Sequence, residues 1–289
     1  MKKSLQFFIT YYFKKHIGTF FGHKIGPADY FWKNYYRFAK TREIELINNE
    51  GDKISVKSII DNHPFKASIR TGASSDILVF RQVFGTNEYW DLLKEIEKRN
   101  DTNNIKLVID AGANVGYTSI LLKLYLPNAT IVSIEPDIAN AAMTKVNMAI
   151  NNFDKTEVII AGVWSHDCWL ELKKDKSDGK EWGFYVVESN IPTDLKAIDI
   201  LNLPQLTNFP QIDILKLDIE GSEQKLFEDK SKISRLLQRT KYLAIEIHDD
   251  MADRKQIYSV LKDNGYTWFE SGEITIATNL NLVTISDNK

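Results

Sequence analysis

Two stretches of the chain put ionisable side chains where an apolar strand is expected. In ILKLDIEGSE (214–223), Ile214, Leu215, Leu217 and Ile219 read as strand core, yet Lys216, Asp218, Glu220 and Glu223 interrupt or follow them. In LAIEIH (243–248), Glu246 and His248 alternate with apolar residues. Burying a charge is costly unless it is paired. Alternate strand residues share a face, so Lys216 lies on the side of Asp218 and Glu246 on the side of His248. If the two stretches are adjacent parallel strands, one register predicts a structural Lys216–Glu246 ion pair and an Asp218–His248 contact at the strands' carboxyl ends. There His248 or Asp218 could take a proton from a hydroxyl, although a histidine that only satisfies a neighbour accounts for His248 as well. Glu220 and Glu223 read as carboxylates at a helix start, stabilised by its dipole, around a sharp turn at Gly221. His248, Asp249 and Asp250 with Asp218 have the chemistry of a divalent-cation site, but nothing in their spacing fixes a ligand geometry, and the metal is left open.

A second group lies upstream in VIDAGANVGYTS (108–119). Asp110 ends a strand, Gly112 and Gly116 allow a tight turn and close approach to a ligand, and the following helix offers free N–H groups to an anion. The next strand, in ATIVSIEP, ends at Glu135, where an acidic residue can hold ribose hydroxyls. A dinucleotide fingerprint would read G-x-G-x-x-G. The order Asp110, Gly112, Asn114, Gly116 departs from it and suits S-adenosylmethionine better, with its carboxylate, ammonium and ribose.

These residues need strand ends to hold them, and the chain supplies them. IKLVID (105–110), ATIVSIEP, TEVIIAGVW, QIDILKLDIE and KYLAIEIH read as strands. YTSILLKLYL, IANAAMTKVNMAINN, a segment from Ser222 or Glu223 and RKQIYSVLKDNG read as the helices between or after them. The tail from Tyr266 reads as two or three antiparallel strands. This alternation predicts an α/β fold: a doubly wound, mostly parallel sheet with an antiparallel C-terminal strand, which binds ligands at the carboxyl ends of its strands. Upstream, residues 42–60 read as two short strands around a turn at 48–51, FKASIR as another strand, and SDILVFRQVF and EYWDLLKEIEKR as helices. The expected division is an N-terminal helical and short β extension over 1–65 and a catalytic domain over 66–289.

The bulk numbers set limits. With 289 residues the chain can hold one large α/β domain with an added segment, and 43% apolar with 26% charged residues is ordinary for a globular protein. A net charge of -2 gives no general electrostatic case for nucleic acid, and no motif reads a base. Cys168 is the only cysteine, so no internal disulfide forms, which fits a reducing, cytoplasmic setting. At the amino terminus, Leu5, Phe8, Ile9, Tyr12 and Phe13 share one helical face between lysines, and Lys14, Lys15 and His16 stand where a signal peptide would need small residues. The reading is a helix within residues 1–24 docked on its own domain or on a second copy, with peripheral contact to the inner membrane face as the alternative.

VIDAGANVGYTS, the SIEP strand end, ILKLDIEGSE and LAIEIH together resemble the FkbM family of S-adenosylmethionine-dependent methyltransferases, over roughly residues 70 to 270. The segment IRTGASSDILVFRQVFGTNEY resembles what that family carries before its first nucleotide-binding strand, and the Lys–Asp–Glu–Gly run is the most specific part. The resemblance implies a class I methyltransferase fold and an O-methyltransferase acting on a sugar, glycan or other small-molecule hydroxyl. It implies that Asp110, Gly112, Asn114 and Gly116 hold the cofactor's amino-acid end, Glu135 its ribose, and Gly162, Val163 and Trp164 its adenine. Asp218 would lie near the ammonium or the transferring methyl. Two other readings compete: a nicotinamide-dependent oxidoreductase, against which the glycine spacing speaks, and a catalytically silent cofactor-binding scaffold.

Overall fold

Local alternation and turn chemistry build the first of two compact units, Met1–Thr86 and Asn87–Lys289, in the computed structural model, which describes residues 27–39, 44–72, 74–174 and 184–283. The amphipathic segment within residues 1–24 lies outside the described residues. In the first unit, helix α1 (Pro27–Ala39) precedes an antiparallel meander of β1 (Ile44–Asn49), β2 (Lys53–Ile60) and β3 (His63–Arg70), followed by α2 (Asp76–Gly85). Its core is aromatic, with Phe38 edge-on to Phe80 and Phe65 stacked on Phe84. The division expected at 65/66 falls inside β3, which pairs with β2 over its whole length. Cutting there would break a ladder, so the unit closes only after α2.

The second unit begins with α3 (Trp90–Lys98) and then alternates. In order come β4 (Leu107–Ala111), α4 (Tyr117–Tyr125), β5 (Thr130–Glu135), α5 (Ile138–Ile150), β6 (Thr156–Ile160) and four short strands, β7 (Gly162–Trp164), β8 (Trp169–Lys174), β9 (Phe184–Ser189) and β10 (Leu195–Asp199). Then follow β11 (Ile212–Leu217), α6 (Glu223–Glu228), α7 (Lys230–Leu237), β12 (Thr240–Glu246), α8 (Arg254–Asp263), β13 (Tyr266–Ser271) and β14 (Ile274–Asn279). The main sheet runs β13-β14-β12-β11-β4-β5-β6. Six of its strands run in one direction, and β14 runs against them, antiparallel to both neighbours. The strand order reverses between β4 and β11, and ligands of such sheets bind at that switch point.

The central strands are buried throughout because helices cover both faces: every residue of β4 and β11 is buried, the charged Asp110, Asp213 and Lys216 included. Asp137 and Asp253 cap α5 and α8 by accepting backbone N–H groups, which fixes where those helices start.

One expected strand is two. TEVIIAGVW splits at Ala161, with β6 edging the main sheet and β7 entering a second sheet of order β7-β10-β8-β9. Gly162 makes the junction: a Cβ there would lie 2.4 Å from Leu170 Cδ1, so any larger residue would need that buried side chain to shift. Among the described residues no helix is long and apolar enough to cross a membrane.

Candidate active site

The loop between β4 and α4 takes its shape from three left-handed residues, Gly112, Asn114 and Gly116, with φ of 77°, 50° and 82°. Only glycine adopts this region without cost, and asparagine tolerates it better than most. Gly112 and Ala113 donate backbone N–H groups to the Ile134 carbonyl, tying the loop to β5. Gly116 lies against α5, where a Cβ would sit 2.7 Å from Thr144 Cγ2. Gly116 is also the N-cap of α4, and no side chain caps that helix. Its start is therefore open to an anion.

Glu135 ends β5 under this loop. Its two carboxylate oxygens accept backbone N–H groups from Asn114 at 2.7 Å and Asp137 at 2.9 Å. Burial pushes its pKa up to about 7, against the pull of those two N–H groups. The Asn114 side-chain oxygen is buried without a hydrogen-bond partner. An open helix start, an unsatisfied acceptor and a strand-end carboxylate with spare lone pairs fit the carboxylate, ammonium and ribose of S-adenosylmethionine.

Asp110 lies inside the sheet. It is fully buried, accepts a 2.5 Å hydrogen bond from the Ser119 hydroxyl, and lies 3.4 Å from Lys216 Nζ. Its place is beneath the loop.

Lys216 does not pair with Glu246. Strands β11 and β12 are parallel neighbours, but Lys216 stands opposite Ala244 and Leu217 opposite Ile245, so Glu246 lies two residues farther along. On the other side Lys216 stands opposite Asp110 of β4. Its Nζ donates to the Gly112 carbonyl at 2.5 Å and pairs with Asp218 at 3.2 Å and with Asp110. Burial alone would lower its pKa. The charges of Asp218, Tyr89 and Asp110 outweigh burial and raise it well above the usual lysine value. The buried lysine thus ties the β4–α4 loop to the carboxyl end of β11.

Beyond Lys216 the edge is acidic. Glu220 takes a left-handed backbone with φ of 55°, Gly221 follows at 86°, and α6 starts just after. Glu223, wholly buried, accepts the Ile219 N–H with one oxygen. Its other oxygen lies 3.4 Å from His248 Nδ1, and neither of these two buried atoms has a hydrogen-bond partner. His248 Nε2 is 3.7 Å from both Glu220 and Glu246. Glu223 first, then Glu246 and Glu220, raise the His248 pKa to about 9 against its burial. Burial and the charge of Asp218 bring Glu246 up to about 8 and Glu220 to about 7.

His248 makes no direct ion pair with Asp218, although ligand atoms of Asp218, Glu246 and His248 lie within 4.8 Å of one another. Asp249 and Asp250, grouped with them by sequence, are exposed, and Asp249 is taken by Arg254 in a two-pronged pair at 2.7 and 2.8 Å.

The residues expected to line the adenine form β7 and are all buried. Val163 belongs to the main core, and Trp164 packs with Leu170, Val186 and Ala197. These side chains are committed to packing. Three contributors escaped the sequence reading. Glu223 was read only as a helix-start residue. Glu88, just before α3, is raised to about 7 by burial and the charges of Asp218 and Glu273. Neither Glu88 nor Glu273 carries a local pattern. Glu88 stands in the family-like segment ahead of β4, which was its one available signal.

A family profile described as "Methyltransferase FkbM domain" matches residues 110–267, more than half of the chain. A curated relative, "Methyltransferase 1" of Beauveria bassiana (strain ARSEF 2860), is 25% identical over 144 residues, covering 40% of this chain. The chain spans about half of that relative's length (55%). Among solved structures, magnesium protoporphyrin IX methyltransferase from Synechocystis PCC 6803 with bound SAM is similar, with 15% identity, a TM-score of 0.41, and coverage of 71% of this chain and 82% of that one. A putative caffeoyl-CoA O-methyltransferase from Staphylococcus aureus gives 14% identity, a TM-score of 0.41, and coverage of 71% and 93%.

Proposed function

The chain belongs to the FkbM methyltransferase family, which uses S-adenosylmethionine, and from that premise we propose that it methylates a hydroxyl oxygen of a sugar, glycan or other small-molecule acceptor. The observation that carries this reading is the coupling of two groups through one side chain: Lys216 Nζ holds both the Gly112 carbonyl of the cofactor loop and the Asp218 carboxylate of the acidic edge. A methyl-donor loop and a cluster of proton-accepting groups are thus parts of one hydrogen-bonded unit.

When bound, the cofactor supplies a methyl group on a sulfonium. The open start of α4 and Asn114 hold its amino-acid end, and Glu135 its ribose. The fixed loop and strand ends align the acceptor oxygen with the methyl, which is a large share of such catalysis. A hydroxyl is a poor nucleophile until its proton begins to leave, and Asp218 and His248 orient and activate it. Carboxylates stand beside both ring nitrogens of His248, Glu223 at Nδ1 and Glu246 and Glu220 near Nε2. The acceptor's proton passes to a carboxylate of this edge.

The experiment is a screen of hydroxyl acceptors with a labelled methyl donor, followed by location of the label. Label on oxygen supports the proposal, whereas label only on nitrogen, carbon or sulfur overturns it. Asp218→Asn is expected to lower kcat by roughly 10²-fold or more, with a smaller change in cofactor affinity.

Glu135 gives a separate prediction. Glu135→Gln is expected to weaken S-adenosylhomocysteine binding by about 1.5–3 kcal/mol above pH 7, through loss of charge-assisted hydrogen bonds. Because the folded Glu135 titrates near 7, the wild-type side chain is itself neutral at lower pH. The difference between the two proteins should then shrink as pH falls from 8 to about 5. Titration calorimetry across that range checks it, and a pH-independent difference would place the ribose on another residue.

A further inference from the structure

We propose that Asp218, Glu246 and His248 hold one divalent cation, of the Mg2+ or Mn2+ class, which binds and activates the acceptor hydroxyl. The inference rests on the methyl-transfer reading of this edge and adds a metal to it. The three side chains come from the carboxyl ends of two neighbouring parallel strands, β11 and β12, and each offers a ligand atom within 4.8 Å of the others. Cis ligands of a six-coordinate cation with bonds of about 2.1–2.3 Å stand about 3 Å apart, and trans ligands about 4.5 Å. His248 Nε2 and Glu246 Oε1, at 3.7 Å, reach that geometry with side-chain shifts of well under 1 Å. Two carboxylates and one imidazole are a mostly hard donor set and leave about three positions for water and acceptor oxygens.

A second, independent observation concerns the far side of the imidazole. A metal-bound histidine carries its remaining ring proton on the other nitrogen and usually donates it to a carboxylate. Here Glu223 provides that carboxylate. Its side chain is wholly buried, one oxygen is fixed by the Ile219 N–H, and the other oxygen has no hydrogen-bond partner and stands 3.4 Å from Nδ1. Such an arrangement directs Nε2 toward the carboxylates of Glu246 and Glu220. A buried carboxylate beside Nδ1 is the arrangement that ligation through Nε2 uses.

Local charge points the same way. Lys216 is engaged by Asp110, Asp218 and the Gly112 carbonyl. Among the described residues, Glu246 and Glu220 find an ion-pair partner only in His248. Asp218 and His248 thus act on the acceptor through the cation. The cation replaces the proton on Nε2 and acidifies the bound hydroxyl. The hydroxyl proton leaves to a carboxylate or water. An oxygen lone pair then forms the C–O bond, and the C–S pair returns to sulfur as S-adenosylhomocysteine forms.

The test uses the full chain, stripped with EDTA and loaded with S-adenosylhomocysteine. Mn2+ binding is followed by calorimetry and by electron paramagnetic resonance. One Mn2+ per chain is expected, weakened at least roughly tenfold in Glu246→Gln and in Asp218→Asn. Glu246 lies outside the Lys216 network, so its variant keeps the test valid even if Asp218→Asn unfolds. Circular dichroism and retained S-adenosylhomocysteine binding report folding. The group His166, Cys168 and Glu188, of which Cys168 is half-buried, is the other assembly of metal-ligating atoms among the described residues, and Glu188→Gln is expected to leave Mn2+ binding unchanged. No Mn2+ or Mg2+ binding at millimolar concentration overturns the inference, as does binding that survives Glu246→Gln or disappears with Glu188→Gln. Methyl transfer undiminished by EDTA sinks the cation and leaves the methyltransferase standing. Mn2+ bound at this site without methyl transfer to any hydroxyl acceptor supports the site and sinks the O-methylation reading.

Discussion

Replacing Lys216 by alanine is expected to cost the fold about 3–5 kcal/mol, the range for breaking a buried ion pair by removing one partner. The cause is specific. Asp110 has no exposure and would keep only the Ser119 hydroxyl, Asp218 would lose its cation, and the Gly112 carbonyl its donor. At about 2–4 °C per kcal/mol for a domain of this size, the thermal midpoint should fall by roughly 10 °C, with S-adenosylhomocysteine binding weakened as the loop loses its tether. Two double variants locate the partner. Lys216→Met with Asp110→Asn should recover part of the loss, because the buried charge is removed with its partner. Lys216→Met with Glu246→Leu should recover none, because Glu246 is not that partner. Recovery in the second pair and not the first would refute the assignment.

The same stretch shows how far the sequence could be read. Alternating strands and helices, the glycine loop and the acidic strand end are local patterns, and they emerged with their expected elements except where TEVIIAGVW splits between two sheets. Lys216 and Asp218 were recognised as a cost needing compensation, and β11 and β12 did turn out to be parallel neighbours. What failed was register and the choice of neighbour. A central strand has two flanks, and residue parity cannot say which flank supplies the partner. Lys216 turned to Asp110 on β4, not to β12. Glu88 and Glu273 reach the acidic edge only through tertiary packing, and no periodicity marks them. Strands β8 to β10 are short and carry lysine and glutamate among their apolar residues, so they lack the continuous apolar runs that marked the main sheet. Gly162 looked like a ligand-lining glycine, yet the close neighbour that excludes a side chain is Leu170.

Gly112 teaches the same lesson with the second large effect. From the loop alone, a side chain at Gly112 would be expected to intrude on the cofactor. The structure puts the obstruction elsewhere: a Cβ at Gly112 would lie 1.7 Å from the Asp218 carbonyl oxygen and 2.8 Å from its carbon. Both are backbone atoms that no rotamer change can move. The φ of 77° adds the cost of a left-handed alanine, about 1 kcal/mol. Gly112→Ala should therefore force apart the ends of β4 and β11 where Lys216 joins them, and the loss should appear in the cofactor-free protein. A destabilisation of roughly 3–5 kcal/mol is expected, in the range seen when a buried contact cannot relax. Gly116→Ala should be milder, because its nearest obstruction at 2.7 Å is the Thr144 methyl, and shortening that side chain with Thr144→Ser should relieve part of the loss. No such partner exists for Gly112, since the Asp218 carbonyl remains under any substitution. Denaturant unfolding without ligand decides the matter. If Gly112→Ala keeps wild-type stability and loses only cofactor affinity, the glycine serves the ligand. If it loses stability first, the glycine is there to let two strand ends meet, and the cofactor loop is a consequence of that closure.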